Sequence, residues 1–164
     1  MGTRIRAEML IKRSYPHLKY VRVHTYKPYH VTIYIWDDNL TISEEEMSEV
    51  VNFASKSIMV SLRFQVKPYD KLKEDKIPEV AEYHQLPMEI LTVAQIGNNT
   101  EDGIINAINT VFRSINMEFV NYERDTAMLN FRANNRVTDV EKEMIQQYLS
   151  ELIPLGTYFQ VVYM

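Results

Sequence analysis

Cysteine is absent from the 164 residues, and glycine is scarce. Without cysteine the chain can form no disulfide, and it offers neither a thiolate nucleophile nor a thiolate metal ligand. The glycines are Gly2, Gly97, Gly103 and Gly156, which are scattered along the chain. No glycine-rich loop is therefore present to cradle a phosphate, as the P-loop and the dinucleotide-binding motif require. These two shortages exclude thiol chemistry and the two commonest nucleotide-binding motifs.

Long apolar runs are missing as well. The sequence has no stretch of about 18 apolar residues, which is what a membrane-spanning helix needs. The first residues contain Arg4 and Arg6 with no apolar core after them, unlike a secretory signal. Hydrophobic residues make up 46% and charged residues 24%, close to globular averages. We therefore expect a folded protein made in the cytoplasm, with no membrane partner.

Groups that carry catalysis or bind metals are also sparse. The four histidines are His17, His24, His30 and His84, and no two of them share a helix-face spacing with a third ligand nearby. The glutamates at 44–46 fall in the first turn of a predicted helix, where the helix dipole favours negative charge. No serine stands in a nucleophile-elbow context. We expect no metal, no cofactor, no catalytic residue and no enzymatic activity.

What the sequence does contain is an internal repeat. A helix-capping pair, Thr138 with Glu141, is matched upstream by Ser43 with Glu46. Apolar residues alternate with polar ones around both sites, as in strands with one buried face. Corresponding positions lie 95 to 97 residues apart: Ser43 and Thr138, Ile33 and Leu129, and Phe64 and Val161. The two halves are therefore predicted to share one local structure.

The repeating unit is helix, strand, strand, helix, strand. In the first copy the pattern predicts a helix at 5–13, strands at 19–26, 30–36 and 60–66, and a helix opened by Ser43. In the second, a helix at 104–115 precedes two strands, the helix opened by Thr138 and a final strand. We predict an α+β protein formed by tandem duplication, each module having a three-stranded sheet with two helices on one face. The modules span 1–68 and 100–164.

Between them, residues 69–99 form a polar, acidic connector. Residues 69–103 carry three Lys or Arg against eight Asp or Glu, and prolines interrupt the segment. Such a connector either wraps a neighbouring protein as an arm or lies as a loop across its own surface. Within it, 90–96 is a candidate short strand, and 97–99 leads into a helix opened by Asn99 or Thr100. The sequence leaves the choice between arm and loop open.

Strand alternation also predicts what lies on the side of each sheet that faces away from the helices. On the first module this side, here called the first reverse face, carries Tyr20, Arg22, His24, Tyr34, Trp36, Arg63 and Lys67. On the second module the corresponding second reverse face carries Val120, Tyr122, Met128, Asn130, Tyr158, Val162 and Met164. The first set is aromatic and basic, whereas the second is apolar enough to require a protein partner.

Two functions fit these faces. Tyr, Trp and Arg are preferred anchors of protein interfaces, so both faces are candidates for binding other subunits. Aromatic and basic sheet faces also stack single-stranded bases, so a nucleic-acid-binding module is the alternative. We favour protein contacts because the faces belong to duplicated units. The candidate partner-binding residues are Tyr20, Arg22, Tyr34, Trp36, Arg63, Tyr158 and Met164.

The chain resembles a known family at several short motifs. These are Val21-Arg22-Val23, the segment 29–35 (YHVTIYI), Gln147-Tyr148-Leu149, and the segment 153–157 (IPLGT) followed by Val161. They are similar to the helix-strand-strand-helix-strand modules at the C-terminal ends of baseplate wedge proteins of contractile phage tails, the baseplate J-like family. The resemblance implies a non-enzymatic virion subunit, part of a tail or baseplate, that docks with copies of itself or with other subunits around the tail tube.

Overall fold

The computed structural model describes residues 2–96, 100–134 and 136–164. The first module consists of α1 (Arg4–Ser14), β1 (Leu18–Lys27), β2 (His30–Asp37), α2 (Glu44–Phe53), a π-helical turn (Ala54–Ile58) and β3 (Arg63–Pro68). The connector contains α3 (Lys71–Glu74), a short 3-10 turn (Tyr83–Gln85) and α4 (Met88–Ile96). The second module consists of α5 (Glu101–Val111), β4 (Met117–Glu123), β5 (Met128–Ala133), α6 (Asp139–Leu152) and β6 (Tyr158–Tyr163).

The two modules have the same sheet topology. The strand orders are β1-β2-β3 and β4-β5-β6, and in each sheet the first pair is antiparallel and the second pair parallel. A parallel pair needs a crossover connection, which α2 and α6 provide. The predicted α+β duplication of an α-β-β-α-β module is confirmed.

Side-chain caps begin the four main helices of the modules. In each, a hydroxyl accepts a hydrogen bond from a backbone N–H three residues later, which satisfies one of the unpaired donors at the helix start. The capping residues are Thr3, Ser43, Thr100 and Thr138. At Thr138 the Glu141 carboxylate also accepts from the Thr138 N–H, completing the predicted capping box. At Ser43 the Glu46 carboxylate instead lies 2.6 Å from His17 Nε2.

The structure corrects several sequence predictions of element type or extent, among them the helix predicted at 104–115, which ends at Val111. Residues 90–96, a candidate strand, belong to helix α4, in which Ile90 and Ala94 are buried one turn apart. A short apolar run does not distinguish a buried helix from a strand by its periodicity. The strand predicted from residue 60 begins at Arg63, and Val60 is 83% exposed in the preceding turn. The predicted lead-in at 97–99 lies outside the described residues.

The cores of the two modules interlock. Helix α1 belongs to the first module, yet its Ile5 packs in the core of the second, while Ala7 and Ile11 pack in the first. In return, Leu155 of the second module packs in the core of the first. The Leu155 N–H also donates to the Gly2 carbonyl at 2.8 Å. The modules are therefore packed together as one structure.

Gly156 lies at the junction between the modules. Its N–H donates to Thr25 Oγ1 and its carbonyl accepts from the Tyr29 N–H, both at 2.9 Å. Its φ angle is 85°, and a Cβ built there would lie 2.5 Å from a methyl carbon of Leu62. Only glycine fits this approach without strain.

Candidate interaction surfaces

The backbone register places the predicted residues of the first reverse face on one side of the sheet. Tyr20 pairs with Trp36 and Arg22 with Tyr34 across the antiparallel strands. Across the parallel pair, Tyr34 is opposite Lys67, and His30 is opposite Arg63. Because residues two apart share a face of a strand, these side chains belong to the same side. The composition of this face follows the sequence pattern.

The connector covers much of this face. The Tyr69 ring lies against the rings of Tyr20 and Trp36, with centroids 5.4 and 5.7 Å apart. The Arg22 guanidinium donates a hydrogen bond to the Pro78 carbonyl. The connector is therefore a loop packed on its own protein.

An acidic residue of the connector completes the contact. Tyr34 donates its hydroxyl hydrogen bond to Asp75 Oδ2 at 2.6 Å, and Lys67 Nζ lies 2.8 Å from the same oxygen. Hydrogen bonds from Lys67 and then Tyr34 lower the pKa of Asp75, so this carboxylate is ionised at neutral pH. Burial, followed by the bond to Asp75, raises the pKa of Tyr34, so the phenol stays protonated and continues to donate.

This coverage corrects the idea of an open binding platform. Tyr34, a predicted partner contact, is only 2% exposed. Arg22 and Trp36 are partly buried, whereas Tyr20 and Arg63 remain exposed. Bases cannot stack across the whole face unless residues 69–78 first leave it.

The second reverse face differs from its prediction because β4 contains a bulge. The register shifts between Phe119 and Asn121, so residues beyond the bulge change sides. Tyr122, predicted on this face, instead pairs with the buried Leu129 on the helix side of the sheet. Its hydroxyl lies 2.5 Å from that of Tyr29 in the first module. Asn121 takes its place on the reverse face.

Polar side chains form a ladder across the middle of the second reverse face. Gln160 Nε2 donates to Asn130 Oδ1 at 2.5 Å, and Asn130 Nδ2 donates to Asn121 Oδ1 at 2.7 Å. Beside this ladder, Arg132 and Glu118 form an ion pair of 2.6 Å. The face is thus more polar than the sequence interpretation suggested.

Apolar side chains lie around this ladder and are open to solvent. Val162 is 52% exposed and Met164 is 65% exposed, and Val120 at the bulge is exposed to a similar degree. Tyr158, the other predicted contact here, is partly buried. The burial of Tyr158 raises the pKa of its phenol. Within the described residues, no connector segment packs here as residues 69–78 do on the first module.

A buried charged cluster, which sequence reasoning missed, joins the two modules. Arg4 in α1 donates to Glu8 at 2.8 Å and to Glu151 in α6 at 2.7 Å. The Glu8 carboxylate also accepts from the Val23 N–H. Burial raises the pKa of Glu8, opposed by the charge of Arg4 and by the Val23 hydrogen bond. Glu8 lies three residues from both Ile5 and Ile11, on the apolar stripe of the predicted helix. A carboxylate on such a stripe could have been recognised in the sequence as a buried charge.

Among the described residues, no group of three or more histidine or carboxylate side chains is arranged to hold a metal ion. No helix in the same residues combines the length and apolar character needed to cross a bilayer.

Comparison with known proteins gives little additional information. No family model matches the chain, and no curated protein matches it. Two solved structures are similar over 98% of this chain and 70% of their own. One is the periplasmic domain of the type III secretion inner-membrane protein PrgH from S. typhimurium, with 16% identity and a TM-score of 0.32. The other is a structure of the PrgH periplasmic domain, with 14% identity and a TM-score of 0.31. TM-scores this low do not establish a common fold, so these matches carry no inference about this chain.

Proposed function

We propose that this protein is a non-enzymatic assembly subunit of a multi-protein particle, and that its second reverse face binds a neighbouring subunit. One observation carries the proposal: of two duplicated sheets, one has its reverse face covered by the connector, while the other leaves Val162 and Met164 exposed. The covered sheet shows how such a face is completed by another polypeptide segment.

The chemistry of the second reverse face suits a protein partner. Exposed valine and methionine side chains provide apolar area, which favours association when it is removed from water. The amide ladder and the Glu118–Arg132 pair provide directional hydrogen-bonding groups beside it. Subunit interfaces that form after folding combine apolar area with about ten direct hydrogen bonds, and this face offers both kinds of group. A second copy of this chain and a different subunit are both suitable partners.

The particle that we propose is a contractile phage tail or its baseplate. Support comes from the resemblance of segments 29–35 and 153–157 to modules of baseplate wedge proteins, together with the duplicated α-β-β-α-β order. In that setting the chain would be a virion component, and its contacts would be with copies of itself or with other tail subunits.

The test uses the same substitution on two faces. Val162→Asp places a charge on the second reverse face, whereas Val140→Asp places it on α6, where Val140 is 67% exposed. Tagged variants are expressed in the cell that makes the protein, and particles are separated from free chains by density-gradient sedimentation. We expect the wild type and Val140→Asp to sediment with a large particle, and Val162→Asp to remain with the free chains.

Thermal unfolding of the purified variants provides the stability control. Val162→Asp should melt near the wild type, because its side chain is largely in solvent. A wild type that sediments only as a free chain would contradict the assembly function. Sedimentation of Val162→Asp with the particle would instead show that the second reverse face is not the contact with the neighbouring subunit. Mass spectrometry of the particle's other proteins separates a phage tail from another assembly.

A further inference from the structure

A polar cavity of about 480 Å³ lies between α1, β1 and the connector. It lies at the edge of the first reverse face, which contributes Tyr20 and Arg22 to its lining, and it is separate from the second reverse face, which carries the proposed assembly contact. Tyr20, Tyr69 and Tyr83 contribute aromatic surface to its walls. Its size is within the range of small-molecule sites, which are clefts of about 300–1,000 Å³.

Positive charge predominates among the side chains lining this cavity. They include four lysine or arginine residues, Arg4, Lys12, Lys19 and Arg22, against two carboxylates, Glu8 and Glu82. The Arg4 charge is already engaged by Glu8 and by Glu151 behind it. One carboxylate of the lining, Glu82, therefore remains to balance the three positive charges of Lys12, Lys19 and Arg22.

Arg22 is the member of this group whose buried donor has no partner among the described residues. Within the described residues its Nε is buried without a hydrogen-bond partner, and no carboxylate lies within salt-bridge distance of its guanidinium. Its hydrogen bond to the Pro78 carbonyl uses a different nitrogen, Nη2. Burial, and then the neighbouring charge of Arg4, lowers the pKa of Arg22. A half-buried cation that no carboxylate neutralises is stabilised by an anion placed beside it.

We propose that this cavity is a binding site for a small aromatic oxyanion, a phosphate monoester or a carboxylate. The oxyanion lies against the Arg22 guanidinium, with Lys19 and Lys12 contributing charge at the exposed mouth. Arginine suits this role because its planar fork donates to two oxygens of a phosphate or carboxylate at once. The ring of the ligand packs against the tyrosine walls, where flat apolar surface is available.

NMR titration of the intact protein tests the assignment. The probes are phenyl phosphate, inorganic phosphate, benzoate and acetate, each added at constant ionic strength against sodium chloride. We expect saturable shifts of amide signals at residues 19–22 and 80–84. Phenyl phosphate should bind more tightly than inorganic phosphate, and benzoate more tightly than acetate. Whichever of phenyl phosphate and benzoate binds with the lower Kd then identifies the oxyanion as a phosphate or a carboxylate.

Three variants, each of which loses one positive charge, distinguish binding at this cavity from nonspecific attraction of anions to the protein's positive groups. Arg22→Gln should weaken binding of the better ligand by about tenfold or more, since a charged hydrogen bond is lost. Lys19→Gln, at an exposed position that leaves the fold intact, should weaken it less. Arg13→Gln, exposed on α1 and outside the cavity, should leave binding unchanged.

Two results would overturn the site. One is the absence of saturable shifts beyond those that chloride produces. The other is equal weakening by Arg13→Gln and Lys19→Gln, which would show attraction to net charge alone. Aromatic probes that bind no more tightly than inorganic phosphate and acetate would overturn the assignment of an aromatic ligand.

Discussion

Replacement of Gly156 by alanine tests the junction between the two modules. The residue has a φ angle of 85°, a conformation that L-amino acids with a Cβ adopt at a cost. Its backbone is fixed on both sides by hydrogen bonds to Thr25 and Tyr29 of the first module. The new methyl group would also lie 2.5 Å from Leu62, whose side chain is buried in the first core. Conformation and packing therefore oppose alanine together.

The size of the effect follows from these two contributions. The left-handed conformation costs about 1–2 kcal/mol for a residue with a Cβ. Overpacking against Leu62 adds about 1–3 kcal/mol, at the lower end if the Leu62 methyl swings aside. Alanine also lowers the entropy of the unfolded chain, which offsets about 0.4–1 kcal/mol. We expect Gly156→Ala to lower the free energy of unfolding by about 1–4 kcal/mol, a large part of the usual 5–15 kcal/mol.

Gly103→Ala is the matched control, because the chemical change is the same. Gly103 lies in the first turn of α5, and a Cβ there would meet only Thr100 Oγ1 at 3.5 Å. Alanine inside a helix is favoured over glycine by about 0.5–1 kcal/mol, so this variant should be slightly more stable than the wild type. Urea unfolding, followed by circular dichroism, gives the change in the free energy of unfolding for each variant. It is obtained from the shift in the urea midpoint, provided that the dependence of the free energy on urea concentration is unchanged. The reasoning fails if Gly156→Ala unfolds at or above the wild-type midpoint.

Two further perturbations address the buried charges and the connector. Arg4→Ala leaves Glu8 and Glu151 buried without their cation, and should lower the free energy of unfolding by about 3–5 kcal/mol at pH 7. Burial raises the pKa of Glu8, whereas the charge of Arg4 and its hydrogen bond oppose this rise. Removing Arg4 therefore raises this pKa further, and the folded variant holds the Glu8 proton more tightly than the folded wild type. Part of the loss, measured relative to wild type, should therefore be regained as the pH falls from 7 towards 4.5, and a loss that grows in acid would contradict this. Tyr69→Ala removes the ring that packs on Trp36, the single tryptophan, and should shift its fluorescence to longer wavelength. An unchanged emission maximum would show that the connector stays in place without this ring.

Local sequence signals predicted the order of helices and strands in both modules because these elements are encoded by nearby residues. The hydroxyl caps at Ser43 and Thr138 each mark a helix start, and each cap forms in the structure. Alternation along β1, β2 and β5 placed Val23, Ile33 and Phe131 in the cores. Repetition of these signals after 95 to 97 residues made the duplication visible.

The surfaces were less predictable because they depend on contacts between distant segments. Nothing local to Tyr34 indicates that Asp75, 41 residues away, accepts its hydrogen bond and helps to bury it. No glycine in the sequence indicates the bulge before Asn121, yet this bulge moves Tyr122 to the other side of the sheet. The cation surplus around Arg22 appears only when α1, β1 and the connector meet in space. Such features follow from tertiary packing, which local propensity does not encode.

The exchange of Ile5 and Leu155 between the cores has a consequence for synthesis on the ribosome. Residues 1–68 emerge before the second module, but their core lacks Leu155 until that module has been translated. The Ile5 side chain, in turn, stays exposed until the residues of the second core, in which it packs, have been synthesised. Local helices and the β1–β2 hairpin can form during synthesis, whereas closure of both cores requires the second module to have emerged from the exit tunnel.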